Sequence, residues 1–231
     1  MRIATLNIRH GGGTRVAALL EHIAELDADI LALTEFRCNR SGSALRDRLA
    51  ALGYVELAPS CTLTSENCVL LASRLPMQVT EMSAGPPGHE HRLIAAITGH
   101  LSIIGAYFPQ REAKRQVFKQ VLKRLPRLRP LGVLIGDFNT GKPYLDESGN
   151  TFSCVDAFTN LEVAGLVDAW RSRNPDVKEY SWFSSKGNGF RVDHAFCTPD
   201  FDRRIRAVQY IHRCRVSGAT DHAALLIDCD G

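Results

Sequence analysis

The sequence predicts an α/β (α+β) chain of two mixed, largely antiparallel sheets packed together with helices outside. Three observations predict it. Clear helical spacing of apolar residues occurs near the start (Val16, Leu19, Leu20, Ile23, Leu26) and in the middle (Val117, Val121, Leu122, Leu125). Residues 54–107 instead offer consecutive strand-like runs separated by turn signals. A purely parallel doubly wound sheet needs a helix after nearly every strand, and that stretch has none. Two sheets, each covered on its outer face, is the arrangement that remains.

Arg2–Leu6 alternates as a strand, and Thr14 is placed to cap a helix over Arg15–Leu26. Ile30–Thr34 is a second strand, completing a βαβ-like start. A helix near Ala44–Ala51 stops at Gly53, before a short strand at Tyr54–Leu57. Strands follow at Cys68–Ser73, Gln78–Met82, Leu93–Thr98 and Ser102–Tyr107. A long helix spans Arg111–Leu125, and Leu131–Ile135 is the next strand. Phe158–Ala164 reads as helix and Val167–Arg171 as a short local element. Tyr180–Phe183, Phe190–Cys197, Ile205–His212 and Ala223–Asp228 complete the strands. No repeat or linker divides the 231 residues, so one domain is expected.

Hydrophobic content of 45% and charged content of 23% are those of a globular chain able to bury a core. No apolar run approaches the length of a membrane span. The N-terminus MRIATLNIRHGGG lacks the parts of a signal peptide, so a cytoplasmic location with no membrane partner is expected. Seven cysteines, odd in number and without a CxxC pair, are expected to be reduced thiols and not a zinc site. The net charge is only +3, but its distribution is uneven. Arg111, Lys114, Arg115, Lys119, Lys123, Arg124, Arg127 and Arg129 share their segment with Glu112 alone, and Arg203, Arg204, Arg206, Arg213 and Arg215 form a second group. Such clusters suit a polyanion or are a solvated helix face.

The stretch LGVLIGDFNTGKP matches most of a phosphate-binding loop, Gly136-x-x-x-x-Gly141-Lys142. That reading fails chemically. Pro143 stands where a hydroxyl must hold magnesium, and YLDESGNT has no helical period to aim amides at phosphates. Asp137 and Asn139 instead close a strand as candidate catalytic groups. Other strands end in the same kind of residue, Asn7, Glu35 and Tyr107-Phe108-Pro109; the Phe190–Cys197 strand carries Asp193, and Thr220-Asp221-His222 precedes the last strand. Loops at strand ends are where sheet proteins place catalytic groups. The HxH pair His89 and His91 reads as an exposed turn, and His194 as a structural histidine.

In order, the motifs LNI, LTEFR, AYFP, GDFN, RVDH and TDH resemble the endonuclease/exonuclease/phosphatase superfamily, across residues 3–228. That family includes exonuclease III-like abasic-site endonucleases, the DNase I type, and sphingomyelin and inositol-phosphate hydrolases. The resemblance implies a four-layered α/β/β/α sandwich and Mg²⁺-dependent hydrolysis of phosphate esters, with Mn²⁺ as a substitute. Glu35, Asn7 and Asp221 are expected at the metal. Asp137 is expected to align or deprotonate the water, with Asn139 and Tyr107 on the phosphate. His222 is expected to act as an imidazolium favoured by Asp193. Arg9 stands where abasic-site enzymes commonly carry Asp or Asn, a position closer to the DNase I type, and favours one metal over two. The segment YSWFSSKGNGFRVDHAF resembles the exonuclease III-type strand whose aromatics accept a base-free sugar. Trp182, Phe190 and Val192 are read as that apolar pocket, or as plain core, with Arg191 and Arg9 as further substrate-binding residues. The expected partner is nucleic acid, DNA above all, and the chain is expected to be monomeric. Two other readings stay open: a hydrolase of a small phosphorylated molecule or lipid headgroup, and a catalytically silent binding protein of the same fold.

Overall fold

In the computed structural model, which describes residues 1–80, 85–128 and 130–230, two six-stranded sheets pack face to face. The first sheet runs in the order β13 (Ile205–Ile211), β14 (Ala224–Cys229), β1 (Arg2–Asn7), β2 (Ile30–Phe36), β4 (Cys68–Ser73), β3 (Glu56–Pro59). The second runs β5 (Gln78–Val79), β6 (Leu93–Thr98), β7 (Leu101–Tyr107), β8 (Leu131–Asp137), β12 (Asp193–Cys197), β9 (Val167–Asp168). In each sheet only the central pair is parallel, β1 with β2 and β7 with β8. A small hairpin, β10 (Trp182–Phe183) with β11 (Gly189–Phe190), stands apart from both.

The period-two alternation of the strands sorts their side chains into separate cores. Ile3, Ile30, Val69 and Leu71 of the first sheet meet Ile94, Ile103, Val133 and Ile135 of the second. On the outer face of the first sheet, Leu6, Leu31, Leu33 and Leu70 pack beneath α1 (Val16–Leu26) and α2 (Arg40–Ala51). On the outer face of the second, Ile104, Leu134 and Phe196 pack beneath α3 (Lys114–Arg124) and α4 (Val155–Val163). Each such fully buried aliphatic or aromatic side chain contributes about 1.5–3 kcal/mol. The result is the expected four layers. No helix among the described residues is long and apolar enough to cross a membrane.

Several boundaries differ from the sequence reading, each for a local reason. Thr14 is not a cap: a 3-10 turn at Gly13–Arg15 leads directly into α1 without a side-chain cap. α2 begins four residues earlier than expected because the Asn39 side chain accepts the Gly42 amide at 3.0 Å. A Cβ at Gly42 would lie 1.8 Å from the Arg37 carbonyl oxygen, so glycine is what lets the chain turn there. The strand expected over Tyr54–Leu57 lies two residues later. Of the strand expected over Gln78–Met82, only Gln78–Val79 is formed among the described residues, and the rest reaches into residues 81–84, outside them. Arg129 of the basic cluster also lies outside the described residues.

The strand expected over Phe190–Cys197 breaks between Phe190 and Asp193, because the Arg191 side chain turns inward. Its guanidinium is fully buried, donating to Asp146 at 2.7 and 3.1 Å and to Asp168 at 2.7 Å. Arg171 adds a second cation on Asp146. Burial alone would raise the Asp168 carboxyl, but the Arg191 charge and hydrogen bond hold it well below the usual range. Removing one partner leaves a buried charge uncompensated, so Asp146→Ala is expected to destabilise the fold by about 3–5 kcal/mol. Urea unfolding monitored by circular dichroism checks this.

Candidate active site

Both parallel strand pairs deliver their C-terminal ends to one edge of the sandwich. Asn7 ends β1, Glu35 lies near the end of β2, Tyr107 ends β7 and Asp137 ends β8. β12 starts at Asp193, opposite Asp137 in register, and His222 lies two residues before β14. Six residues distant in sequence therefore meet between the sheets.

Local backbone devices aim them. Glu35 sits at a bulge between Thr34 and Phe36 with φ +56°, so the strand presents its carboxylate to the cleft. Asn139 has φ +52°. Gly136 has φ +151°, and a Cβ there would lie 1.9 Å from the Ala106 carbonyl oxygen. Only glycine lets β8 approach β7 so closely just before Asp137. Gly141 is a close-packing glycine and not a phosphate cradle, since its Cβ would fall 2.8 Å from Asp146 Cβ and 2.9 Å from the Arg191 carbonyl oxygen.

Asn7 bridges the sheets, its Nδ2 donating to Glu35 Oε1 at 3.1 Å and to Asp137 Oδ2 at 3.0 Å. Its own Oδ1 accepts the Arg9 amide at 2.8 Å. Asn7, expected at the metal, here turns donors toward the two carboxylates and sets their spacing. Glu35 Oε1 also accepts the Tyr107 hydroxyl at 3.2 Å. Tyr107, expected on the phosphate, here holds Glu35; burial first, then the Glu35 and Asp137 charges, push its hydroxyl up. Glu35 Oε2 accepts the His10 amide at 2.8 Å and Asn67 Nδ2 at 3.2 Å, and Arg37 Nε donates to Asn67 Oδ1.

Asp137 is almost fully buried. Its Oδ1 accepts the Asn139 amide at 2.9 Å, and Asn139 Nδ2 also donates to the Phe108 carbonyl at 2.8 Å. Burial, reinforced by Asp193, pushes the Asp137 carboxyl up to about 7, against the opposing pull of His222. His222 Nδ1 lies 2.8 Å from Asp193 Oδ2, leaving Nε2 as its remaining ring donor. Burial alone would lower this imidazole; the Asp193 charge and hydrogen bond overcome that and push it up to about 9, with Asp137 and Asp221 adding. Asp193 is held in turn by the Tyr210 hydroxyl on its carbonyl and by Ser181 on its amide. Asp221, more exposed, accepts Trp182 Nε1 at 3.3 Å and lies 3.8 Å from Arg9 Nε.

These groups open onto a cavity of about 380 Å³. Its polar side carries Glu35, Asp137, Asn139, Asp221 and His222; its apolar wall carries Trp182, Phe190 and Val192, as the sequence suggested, and also Phe152. Trp182 and Phe190 face each other across the hairpin at 5.7 Å between ring centroids. Arg191, expected on the substrate, is buried away from this cavity in the ion-pair network above. His194 is likewise buried, with Nε2 2.8 Å from the Thr140 carbonyl oxygen. His91 faces Glu66 at 3.4 Å.

Sequence reasoning missed Lys114, Gln110, Phe152, His10 and Asn67. Lys114 is almost fully buried, lines the cavity and donates to the Asn139 carbonyl; burial lowers its ammonium. Its signal was available, because 114 continues the stripe 117, 118, 121 on α3 and so points inward. Gln110 donates to Asn139 Oδ1. Nothing local marks Asn67.

The donor set also bears on a metal. Glu35 and Asp221 offer hard carboxylate oxygens around the cavity that Asp137 also lines. A small hard dication fits such a site better than a thiophilic one.

A polar cluster of this kind at the strand ends of a four-layered sandwich suits the hydrolysis of phosphate esters. The sequence profile of the Endonuclease/Exonuclease/phosphatase family matches residues 4–222. The chain belongs to that family and is a hydrolase acting on ester bonds. Among solved structures it is similar to the 3' phosphatase NExo from Neisseria bound to product DNA hairpin, at 25% identity and TM-score 0.86. It is also similar to an AP endonuclease from Archaeoglobus fulgidus (22%, 0.86) and to the 3'-5' exonuclease NExo from Neisseria meningitidis (24%, 0.85). Each comparison covers 100% of both chains.

Proposed function

We propose that the protein is a Mg²⁺-dependent DNA nuclease that acts at abasic sites or damaged 3' ends. The observation that carries this reading is the pairing of the carboxylate–imidazolium cluster with an aromatic wall in one small cavity. The wall of Trp182, Phe190, Val192 and Phe152 suits the apolar face of a sugar that lacks its base, and a missing base makes leaving the stack cheap. Arg9 and Arg111 are exposed beside the cluster, where a phosphate backbone would find positive charge. The similar structures named for a 3' phosphatase with product DNA and for an AP endonuclease support the same class of substrate.

Asp137 orients a water and takes its proton; the Asn139 amide on Oδ1 and the Asn7 amide on Oδ2 fix the carboxylate plane. His222, charged through Asp193, donates from Nε2 to a phosphoryl oxygen as negative charge builds up. Glu35, with Asp221 across the cavity, would hold Mg²⁺. When bound, the ion neutralises phosphoryl charge and favours departure of the 3' oxygen. Tyr107, His10 and Asn67 keep Glu35 oriented for that role.

Glu35→Gln is expected to raise the Mg²⁺ concentration for half-maximal rate by about 10-fold or more, by analogy with losses at metal sites. A metal titration of the cleavage rate checks it. The DNA reading is tested by salt. Single-turnover rates on an abasic duplex and on a 3'-phosphate duplex, below saturation, are expected to fall steeply and linearly in log rate against log salt. Salt-independent rates on both, with turnover of a small phosphate ester, would overturn it.

A further inference from the structure

The sequence offers no cysteine spacing of a metal site, yet the fold assembles one far from any such pattern. Cys38 follows β2 and directly precedes the Asn39 cap of α2; Cys61 lies just past β3; Cys68 opens β4. β2, β3 and β4 are neighbours in the first sheet, with Phe36 opposite Cys68 in register. The Ser60 amide on the Val69 carbonyl at 2.8 Å and the Val69 amide on Ser60 Oγ at 2.9 Å lock the two strands where Cys61 and Cys68 face each other. All three sulfur atoms lie within 4.8 Å of one another. Cys68 is buried and forms the floor, while Cys38 and Cys61 are half-buried and reachable from solvent.

The geometry points to a second cation site in this protein, a three-thiolate site for one thiophilic ion such as Zn²⁺ or Cd²⁺, with a water as fourth ligand. Four-coordinate zinc at about 2.3 Å per sulfur needs sulfurs roughly 3.8 Å apart, so the trio must contract by no more than about 1 Å. A purely structural role explains the trio less well. The other four cysteines are buried, whereas two of these three, packed at the edge of the core with the Cys38 thiol donating to the Cys61 carbonyl at 2.9 Å, reach solvent within 4.8 Å of each other and of Cys68. The site is chemically distinct from the catalytic one: its donors are all sulfur, where the catalytic cavity offers carboxylate oxygens and one imidazole. The start of α2 beside Cys38 and the charge of Arg46 favour its thiolate. Burial first, then the neighbouring thiols, keep Cys38 and Cys68 protonated when no cation is present. Binding therefore releases thiol protons to solvent, with no change of oxidation state, and affinity must rise with pH.

The test titrates the full-length protein, reduced with a non-thiol reductant, with Cd²⁺ and reads the ultraviolet thiolate-to-metal charge-transfer band. Oxygen ligands give no such band, so the catalytic carboxylates do not interfere. The expected result is a band that saturates at one equivalent, persists in Glu35→Gln, and is lost or strongly reduced in Cys38→Ser and in Cys61→Ser. On the wild-type chain, Zn²⁺ is expected to slow alkylation of Cys38 and Cys61 by iodoacetamide at least tenfold, located by mass spectrometry. That second readout needs no variant to fold. Absence of a band at one equivalent, a band unchanged in both serine variants, or alkylation indifferent to Zn²⁺ would overturn the site. None of these outcomes depends on whether the enzyme cleaves DNA.

Discussion

Asp137→Asn is expected to lower the rate of phosphodiester hydrolysis by about 10²–10⁴-fold, the range typical of a lost general base. The side chain keeps its size, so the cavity and the wall of Trp182 and Phe190 keep their shape. What changes is the capacity to take a proton and the acceptor set. Asp137 Oδ2 accepts from Asn7 and Asn139 and Oδ1 accepts the Asn139 amide, so an amide group must turn a donor toward one of these donors. Against that lost acceptor stands relief from the charges of Asp193 and Glu35, which burden the buried carboxylate. Substrate affinity and the circular dichroism spectrum are therefore expected to change little while single-turnover cleavage collapses. A variant that cleaves within a factor of a few of wild type would remove Asp137 from the chemistry.

The second large effect is at Asp193→Asn. The carboxylate is what lifts His222 to about 9 against a burial that would otherwise lower it. With the charge gone, burial prevails, and at neutral pH the imidazolium that stabilises phosphoryl charge is largely lost. The expected cost is about 10²–10³-fold in rate, and the alkaline limb of the pH–rate profile moves to lower pH. The sign for stability follows from the same shift. A histidine whose folded value lies above its free value of 6.5 stabilises the fold fully below 6.5, and the contribution is lost as pH rises through about 9. Urea unfolding of wild type on both sides of that window should show the loss, and Asp193→Asn should flatten it. A profile whose alkaline limb is the same in the variant would contradict the pairing.

Much of this was legible in the sequence because strand ends are local. Asn7, Glu35, Asp137 and His222 each end, follow or precede a readable strand and Asp193 lies within one, and the structure gathers all of them at one edge. The two helical stripes and the strand-rich middle likewise carried the four layers. What failed was non-local. Arg191 reads as a strand-end cation beside an aromatic, but its partners Asp146 and Asp168 are set by two distant loops, and they draw it inside. Lys114 was read as part of a basic face although it lies on the apolar stripe of its helix, where burial and the Asn139 carbonyl claim it. The thiol trio is the extreme case, since its members come from three strand ends with no spacing to connect them.

The most direct measurement of the central claim is incision of a labelled abasic-site duplex by the wild-type protein and by Asp137→Asn, each in Mg²⁺ and in EDTA. The predicted result is incision at the abasic site by wild type in Mg²⁺ alone, with the other three reactions blank. Incision that persists in EDTA or in Asp137→Asn, or an untouched abasic duplex beside turnover of small phosphate esters, would contradict it.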